Sequence, residues 1–513
     1  LYAQILSAAV DGIKAFKVKV EVHLDTALPA YTTVGMPDTA VKESRERVSA
    51  AIKNAGFLFP SKKITVNLAP ASVKKEGSAF DLPIALGLLA ATGQVEREGL
   101  KNAVFLGELA LDGGIRPIRG ALPIAGALAK DGVRSLFVPA QNAAEAAMVD
   151  GVEVRPIEHL RQAVEFLNGE RPIEPLVVDP ASIVRSTMRY AVDFSDVRGQ
   201  DNAKRAIEIA AAGGHNLLMI GPPGSGKTML AKRLPTILPE LTIEEAFETT
   251  KIYSVAGMLP PNIPLLSIRP FRSPHHTISD AGLIGGGQVP RPGEVSLAHK
   301  GVLFLDELPE FHKSVLEVLR QPMEDGDVTI TRSKMSLTYP ANFILVAAMN
   351  PCPCGFRGHP TRECHCSPIQ IQKYLGHVSG PLLDRIDIQI EVPPVPFENL
   401  ASEASGEPNS AAIRARVEAA RQIQYERFQH VANVQVNADM GTREMRKYCK
   451  VDKQSELLLK QAMEGQIGLS ARGYTRILKV SRTIADLDGS LDIKPEHLTE
   501  AIQYRSLDQE RWL

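Results

Sequence analysis

Residues 215–234 read HNLLMIGPPGSGKTMLAKRL. The apolar run HNLLMI predicts a short buried strand, the segment Gly221–Thr228 a loop, and MLAKRL the first turns of a helix. In such a loop Gly221, Gly224 and Gly226, with Pro222, Pro223 and Ser225 between them, let successive main-chain N–H groups converge on phosphate oxygens. Lys227 then reaches the β and γ phosphates, and the Thr228 hydroxyl ligates Mg2+. This stretch implies an α/β fold around a triphosphate site, with ATP and Mg2+ as the expected ligands.

The run GVLFLDE, residues 301–307, ends an apolar strand in Asp306 and Glu307. Carboxylates at the end of a buried strand are costly unless they serve chemistry. In phosphoryl transfer one acid holds Mg2+ through water and the next orients the attacking water. A glutamate directly after the aspartate points to an AAA+ type of ATPase. The strand FILVAAMN, residues 343–350, ends in Asn350, placed either to orient that water beside Glu307 or to make a plain turn. In SGPLLDRIDI, residues 379–388, Arg385 stands beside two aspartates. It reads as an internal salt bridge or, in a ring, as an arginine reaching the γ-phosphate held by a neighbouring subunit.

The chain has 513 residues, enough for about three domains of roughly 150 residues each. With 58 Lys+Arg against 59 Asp+Glu the net charge is −1, so any nucleic-acid contact must come from local basic features. Hydrophobic residues are 44% and charged residues 23%, which excludes a fibrous or largely disordered chain. The longest apolar stretch, Leu82 to Ala91, is about half the roughly 20 residues that span a bilayer. The first ten residues, LYAQILSAAV, lack a basic leader region, and the expectation is a cytoplasmic protein with no membrane contact.

Residues 1–172 alternate strand-like runs (FKVKVEVHL, KITVNLAP, SLFVPA, VEVRPI) with alanine-rich helical runs, which predicts an α+β domain. Residues 173–190 read as a linker, 191–393 as the ATPase core with a mainly parallel sheet, 394–411 as a second linker, and 412–513 as a small helical domain. Five cysteines are too few for a disulfide framework, and four lie in CPCGFRGHPTRECHC, residues 352–366. Cys352, Cys354, Cys364 and Cys366 can enclose a tetrahedral structural Zn2+; His359 or His365 offers a Cys3His set, and reduced, unliganded thiols are the other alternative. A closed knuckle here would brace the loop between Asn350 and Arg385. Cys449 reads as a half-buried helix residue.

Taken together, DVRGQDNAKRAIEIAAAGGHNLLMIGPPGSGKT, PRPGEVSLAHKGVLFLDELPEF, AAMNPCPCG and SGPLLDRIDI resemble the ComM/YifB family, magnesium-chelatase-like AAA+ ATPases of bacteria. The resemblance spans the whole chain. It implies Lys227 and Thr228 as Walker A, Asp306 and Glu307 as Walker B, Asn350 as sensor 1 and Arg385 as the arginine finger. LSARGYTRIL looks like a sensor 2 helix, with Arg472 as the first candidate for a γ-phosphate contact and Arg476 as the second. The run DVTITRSKMSLTYP reads as a hairpin, and by likeness to related hexameric helicases Arg332 and Lys334 near its tip would contact DNA phosphates in a central pore. The insert SPHHTISDAGLIGGGQVPRPG, with His275 and His276, reads by composition only as a flexible loop.

The stretch KKEGSAFDLPIALGLLA, with GELALDGGIRPIRGALPIAGALAKDG after it, resembles a Lon-protease-like domain. Ala79 and Leu122 stand where a serine and lysine pair would be, Ser78 is one position away, and Lys130 is out of register with it. A non-proteolytic Lon-like domain is expected. The family resemblance implies a homo-hexameric, DNA-dependent ATP motor, a helicase driving branch migration of single-stranded or branched DNA in recombination during natural transformation. The rivals are a magnesium-chelatase-type motor that drives a partner subunit and an ATP-dependent Lon-like protease.

Overall fold

A computed structural model describes residues 1–186, 190–287, 290–332, 335–395, 408–464 and 470–505, without the side chains of 184–186, 332 and 335. The chain forms two compact units, Leu1–Thr187 with Thr242–Ser267, and Met188–Leu241 with Ile268–Leu513. These are not the sequential blocks that the linkers suggest.

The first unit is built on a seven-stranded mixed sheet in the order 30–34, 63–69, 14–25, 2–11, 103–105, 135–139 and 153–157. Strands Tyr2–Asp11 and Lys14–Asp25 form an antiparallel hairpin, and the strands from Ala103 onward join in parallel. Alternate residues bury on opposite faces: Phe105 and Phe137 pack with one apolar cluster, Val104, Leu136 and Val138 with the other. The helix Asp81–Ala91 has no polar face and is buried throughout. Its first residue, Asp81, is held by Arg47, whose Nε and Nη2 donate to the carboxylate at 2.7 and 3.0 Å.

Thr242–Ser267 leaves the ATPase segment and joins this unit. Its helix Ile243–Ala256 opens with a capping box between Thr242 and Glu245. The Ser254 hydroxyl hydrogen-bonds to the buried carboxylate of Glu145, and the Gly120 N–H donates to the Ser254 carbonyl at 3.2 Å. Gly257 takes φ +69, and a Cβ there would lie 2.7 Å from Arg119 Nε. The linker expected at 173–190 contains a short helix, Pro180–Ser186.

The second unit carries a five-stranded parallel sheet in the order Phe271–Arg272, Val302–Leu305, Ile344–Met349, Leu217–Ile220, Ile388–Glu391. The carboxy-terminal helices do not form a core of their own. Ile413, Val417 and Ala420 of helix Ser410–Phe428, and Ile477, Val480 and Ile484 of helix Ala471–Leu487, share one apolar cluster with Ile207 and Leu217. Among the described residues no helix is long and apolar enough to cross a membrane.

Replacing Arg47 by Met should leave Asp81 as an uncompensated buried carboxylate and cost about 3–5 kcal/mol, measured by urea unfolding. Replacing Asp81 by Leu in the same chain should recover most of that loss.

Candidate nucleotide site

The strand Leu217–Ile220 is buried along its length, between Ile344–Met349 and Ile388–Glu391. Polar groups of a covered parallel sheet gather where its strands end. Just past Ile220, the Gly221 N–H donates to the Met349 carbonyl at 3.2 Å. A Cβ at Gly221 would lie 2.2 Å from the Val392 carbonyl oxygen, so only glycine passes there. Gly224 and Gly226 take φ +78 and +92, and the helix Lys227–Ile237 starts immediately after them.

Lys227 is only 8% exposed. Its ammonium donates to the carbonyls of Gly221 and Pro222 at 2.7 and 2.9 Å and to Asn350 Oδ1 at 3.4 Å. Burial lowers its pKa, and the neighbouring Asp306 opposes that shift. A phosphate entering the loop would exchange for these neutral oxygens. The Thr228 hydroxyl donates to Asp306 Oδ2 at 2.7 Å, while Asp306 Oδ1 accepts the Glu307 N–H at 3.0 Å. Thr228 and Asp306 together are a pair of hard oxygen donors of the kind Mg2+ takes.

Glu307 has φ +54, a left-handed backbone that costs energy for a residue with a side chain and recurs at reactive sites. Its carboxylate oxygen Oε2 lies 3.4 Å from His276 Nδ1. His276 stacks near His275, with ring centroids 4.1 Å apart, and meets Phe311 edge-on. The insert is structured: Ser279 caps a short helix, Asp280–Ile284, and Gly285–Gly286 pairs with Arg291–Pro292. Composition gave no signal that His276 meets Glu307, because the two are 31 residues apart and are brought together by tertiary contacts such as the pairing of strands Phe271–Arg272 and Val302–Leu305.

The candidate arginines lie at the other edge of the sheet. Asp387 and Ile388 donate their N–H groups to the Asn216 carbonyl at 3.1 and 3.0 Å, and Asn216 Nδ2 donates to the Arg385 carbonyl at 3.1 Å. Arg385 therefore precedes its strand at the amino-terminal edge, while the phosphate loop follows the carboxyl end of Leu217–Ile220. Four strand residues, about 13 Å at roughly 3.3 Å each, separate the two edges. Arg385 is 7% exposed, pairs with Glu324, and donates from Nη1 to the Pro381 carbonyl at 2.6 Å. Arg472 is the exposed one at 61%, with Nη1 3.6 Å from Asp384. Arg476 is committed to the buried Asp387. Burial would raise the Asp387 carboxyl, but Arg476 and His215 beside it hold it well below the usual carboxylate range.

Four thiols converge beyond Asn350. The sulfurs of Cys352, Cys354, Cys364 and Cys366 all lie within 4.8 Å of one another, with separations of 3.4 Å for Cys352 and Cys354 and 3.6 Å from each to Cys364. Tetrahedral bonds of about 2.3 Å to a metal place sulfurs about 3.8 Å apart. Neither His359 nor His365 belongs to this group, and His359 Nδ1 accepts the N–H of Thr361 and of Arg362 at 3.2 and 3.1 Å. The fifth thiol, Cys449, is fully rather than half buried, just past helix Thr442–Tyr448 and packed into the apolar core, and burial pushes it up to about 12. The expected hairpin forms, with Asp327–Arg332 antiparallel to Met335–Pro340. Lys334 and the side chain of Arg332 lie outside the described residues.

Asp387→Asn should cost about 3–5 kcal/mol at neutral pH, because Arg476 and His215 would then face a neutral amide in a buried place. A carboxyl held below its unfolded value, near 3.9, stabilises above about pH 4 and loses that contribution as the pH falls further. The gap between Asp387→Asn and the unmodified chain in chemical denaturation should therefore narrow in acid.

Comparison with known proteins places this geometry. The family described as magnesium chelatase, subunit ChlI, matches residues 193–400; its amino-terminal counterpart, subunit ChlI of Mg-chelatase, matches 20–142, and the ChlI C-terminal family matches 407–505. The chain is 46% identical to the competence protein ComM of Haemophilus influenzae, over 98% of this chain and 97% of that protein. It is 44% identical to YifB of Escherichia coli, over 97% of this chain and 96% of that protein. The 67 kDa magnesium-chelatase subunit of Chlorobaculum parvum is 29% identical over 40% of this chain and 27% of its own length. With likeness to ComM and YifB running from end to end and the magnesium-chelatase families covering successive segments, this chain belongs to the ComM/YifB family of magnesium-chelatase-like proteins.

Proposed function

We propose that this protein is an ATP-hydrolysing ring motor that acts on DNA. One observation carries the reading: Lys227, Thr228, Asp306 and Asn350 meet at the carboxyl ends of parallel strands, whereas Arg385 and Arg472 stand at the opposite edge. Thr228 and Asp306 would hold Mg2+, Lys227 the β and γ phosphates, and Glu307 and Asn350 the attacking water. Bound Mg2+ supplies positive charge against which phosphate charge is neutralised. Neither arginine lies at its own chain's phosphate loop, so both would serve the nucleotide of an adjacent copy. A closed homo-hexamer provides that neighbour at every site. The Glu324 carboxylate that holds Arg385 within the chain would be released as the interface closes.

DNA enters the proposal through the ComM relative, named for competence, and through the antiparallel pair Asp327–Arg332 and Met335–Pro340, whose sequence carries Arg332 and Lys334 where one strand gives way to the other. Movement of such hairpins on ATP turnover would drive branch migration of single-stranded or branched DNA in the cytoplasm during recombination. The four-cysteine group is proposed to hold structural Zn2+. The first unit is proposed as a Lon-like accessory domain without protease activity: the Ser78 hydroxyl hydrogen-bonds to Glu108, and Leu122 is buried in the core. A second reading, a chelatase-type motor that drives a partner subunit, is favoured by the match to the magnesium-chelatase family over 193–400.

ATP hydrolysis with and without single-stranded DNA, alongside native mass across ATP concentrations, tests the two readings. Stimulation by DNA with a nucleotide-dependent hexamer is expected; an ATPase indifferent to DNA would favour the chelatase-type motor. Glu307→Gln should keep nucleotide binding and lose turnover by roughly 10²- to 10⁴-fold. Arg385→Ala should be inactive alone and regain activity when mixed with Glu307→Gln, since each copy supplies what the other lacks. Replacing Arg332 and Lys334 together should weaken strand binding and flatten its salt dependence while basal hydrolysis stays.

A further inference from the structure

The cysteine group and the nucleotide loop are in direct contact. Gly355, immediately after Cys354, takes φ +83, and a Cβ there would lie 2.5 Å from Pro223 Cδ of the phosphate loop. Its N–H closes a turn onto the Cys352 carbonyl at 2.9 Å. Cys352 is itself buried, two residues after Asn350, and Asn350 Oδ1 accepts from Lys227. The first two cysteines thus stand on a turn wedged between the end of the Asn350 strand and the phosphate loop.

The other two cysteines return to the same place by a different path. Ser367, right after Cys366, caps the helix Pro368–Leu375 through its hydroxyl and the Gln370 N–H. That helix carries the buried Tyr374, whose phenol stands close enough to the main chain of Asn350 and to Cys352 to interact with both electrostatically. Just past the helix, His377 Nδ1 lies 2.8 Å from the carbonyl of Pro309, two residues after Glu307. The path from Asn350 through Cys352 and Cys354 to Cys364 and Cys366, and back through the helix to Tyr374, returns to its start, and the four sulfurs meet where its two arms come together.

We propose that a Zn2+-class ion bound by Cys352, Cys354, Cys364 and Cys366 closes this circuit and thereby holds Asn350 and Pro223 against the phosphates, so that nucleotide affinity and hydrolysis depend on a metal that touches neither. The proposal rests on the reading of Lys227 and Asn350 as ATP-site residues. The four cysteines are ligands, and Gly355 and Tyr374 are positioning residues that transmit the clamp.

The test uses the full chain as purified. Metal content by mass spectrometry should be about one ion per chain, and Co2+ exchanged into the site should give the absorption bands of a four-thiolate tetrahedron. Stripping with a zinc-selective chelator that spares Mg2+ should weaken binding of a fluorescent ATP analogue roughly ten- to hundredfold, and added Zn2+ should restore it. Tyr374→Phe, which removes one hydroxyl from the helix, should keep its metal and lower kcat more than it raises KM. A chain without bound metal overturns the proposal, as does a stripped chain with unchanged nucleotide affinity or a Tyr374→Phe chain with unchanged kcat. Failure of the ATPase reading is distinguishable: the metal-loaded chain would then bind the analogue without turnover, while the stripping experiment would still decide the clamp.

Discussion

A parallel sheet covered by helices can expose polar groups only where its strands stop, and this constraint organises the whole second unit. The strands Leu217–Ile220, Val302–Leu305 and Ile344–Met349 are buried along their length and run parallel, with Ile220 opposite Met349 and Leu305 opposite Ala347. The first residues past those ends are Gly221, Asp306 and Asn350. Lys227 can reach Asn350, and Thr228 can reach Asp306, because the backbone register brings the three strand ends side by side. Shifting any of the three by one residue would turn its polar end toward the opposite face.

The same constraint makes the two edges of the sheet unlike. At the amino-terminal edge a charged network takes over: Asp387 with Arg476 and His215, and Asp486 with Arg427 and Arg482. These pairs are almost wholly buried, and they weld the helix Ala471–Leu487 to the base of the sheet. Removing one partner from such a network costs far more than the intact network contributes, so it fixes geometry more than it adds stability. Beside it stand Arg385, just before the strand Ile388–Glu391, and Arg472, whose Nη1 is 3.6 Å from Asp384. In the ring proposed above, one edge would meet the other between copies.

Much of the second unit can be read from sequence because its signals are local. Gly221, Gly224 and Gly226 between an apolar run and a helix-forming run describe a strand, a loop and a helix within twenty residues, and the structure has these elements there. The hairpin Asp327–Pro340 is equally local. What stays hidden depends on partners distant in sequence. The helix Ile243–Ala256 has an apolar face, but nothing in its pattern says that Ser254 meets Glu145, 109 residues earlier. Likewise an internal salt bridge is one of the two readings of Arg385, but its partner Glu324 lies 61 residues away and nothing local names it. The carboxy-terminal helices look like a domain of their own because a proline- and serine-rich segment precedes them, yet their apolar faces complete the core of the sheet. A composition break marks a change in chain character and does not decide which core a helix joins.

The excursion of Thr242–Ser267 into the first unit also bears on how the protein is made. The peptide chain emerges from the ribosome in order, and the first unit's core remains incomplete until the helix Ile243–Ala256 has emerged. By then Gly221–Thr228 and its helix have already left the tunnel, while Asp306 and Asn350, which complete their surroundings, have not. The nascent phosphate loop therefore waits, partnerless, while the earlier unit closes around a segment translated after it. Two folding units interleaved in this way mature together, and a break introduced between them at residue 190 would strand one helix of the first unit on the wrong fragment.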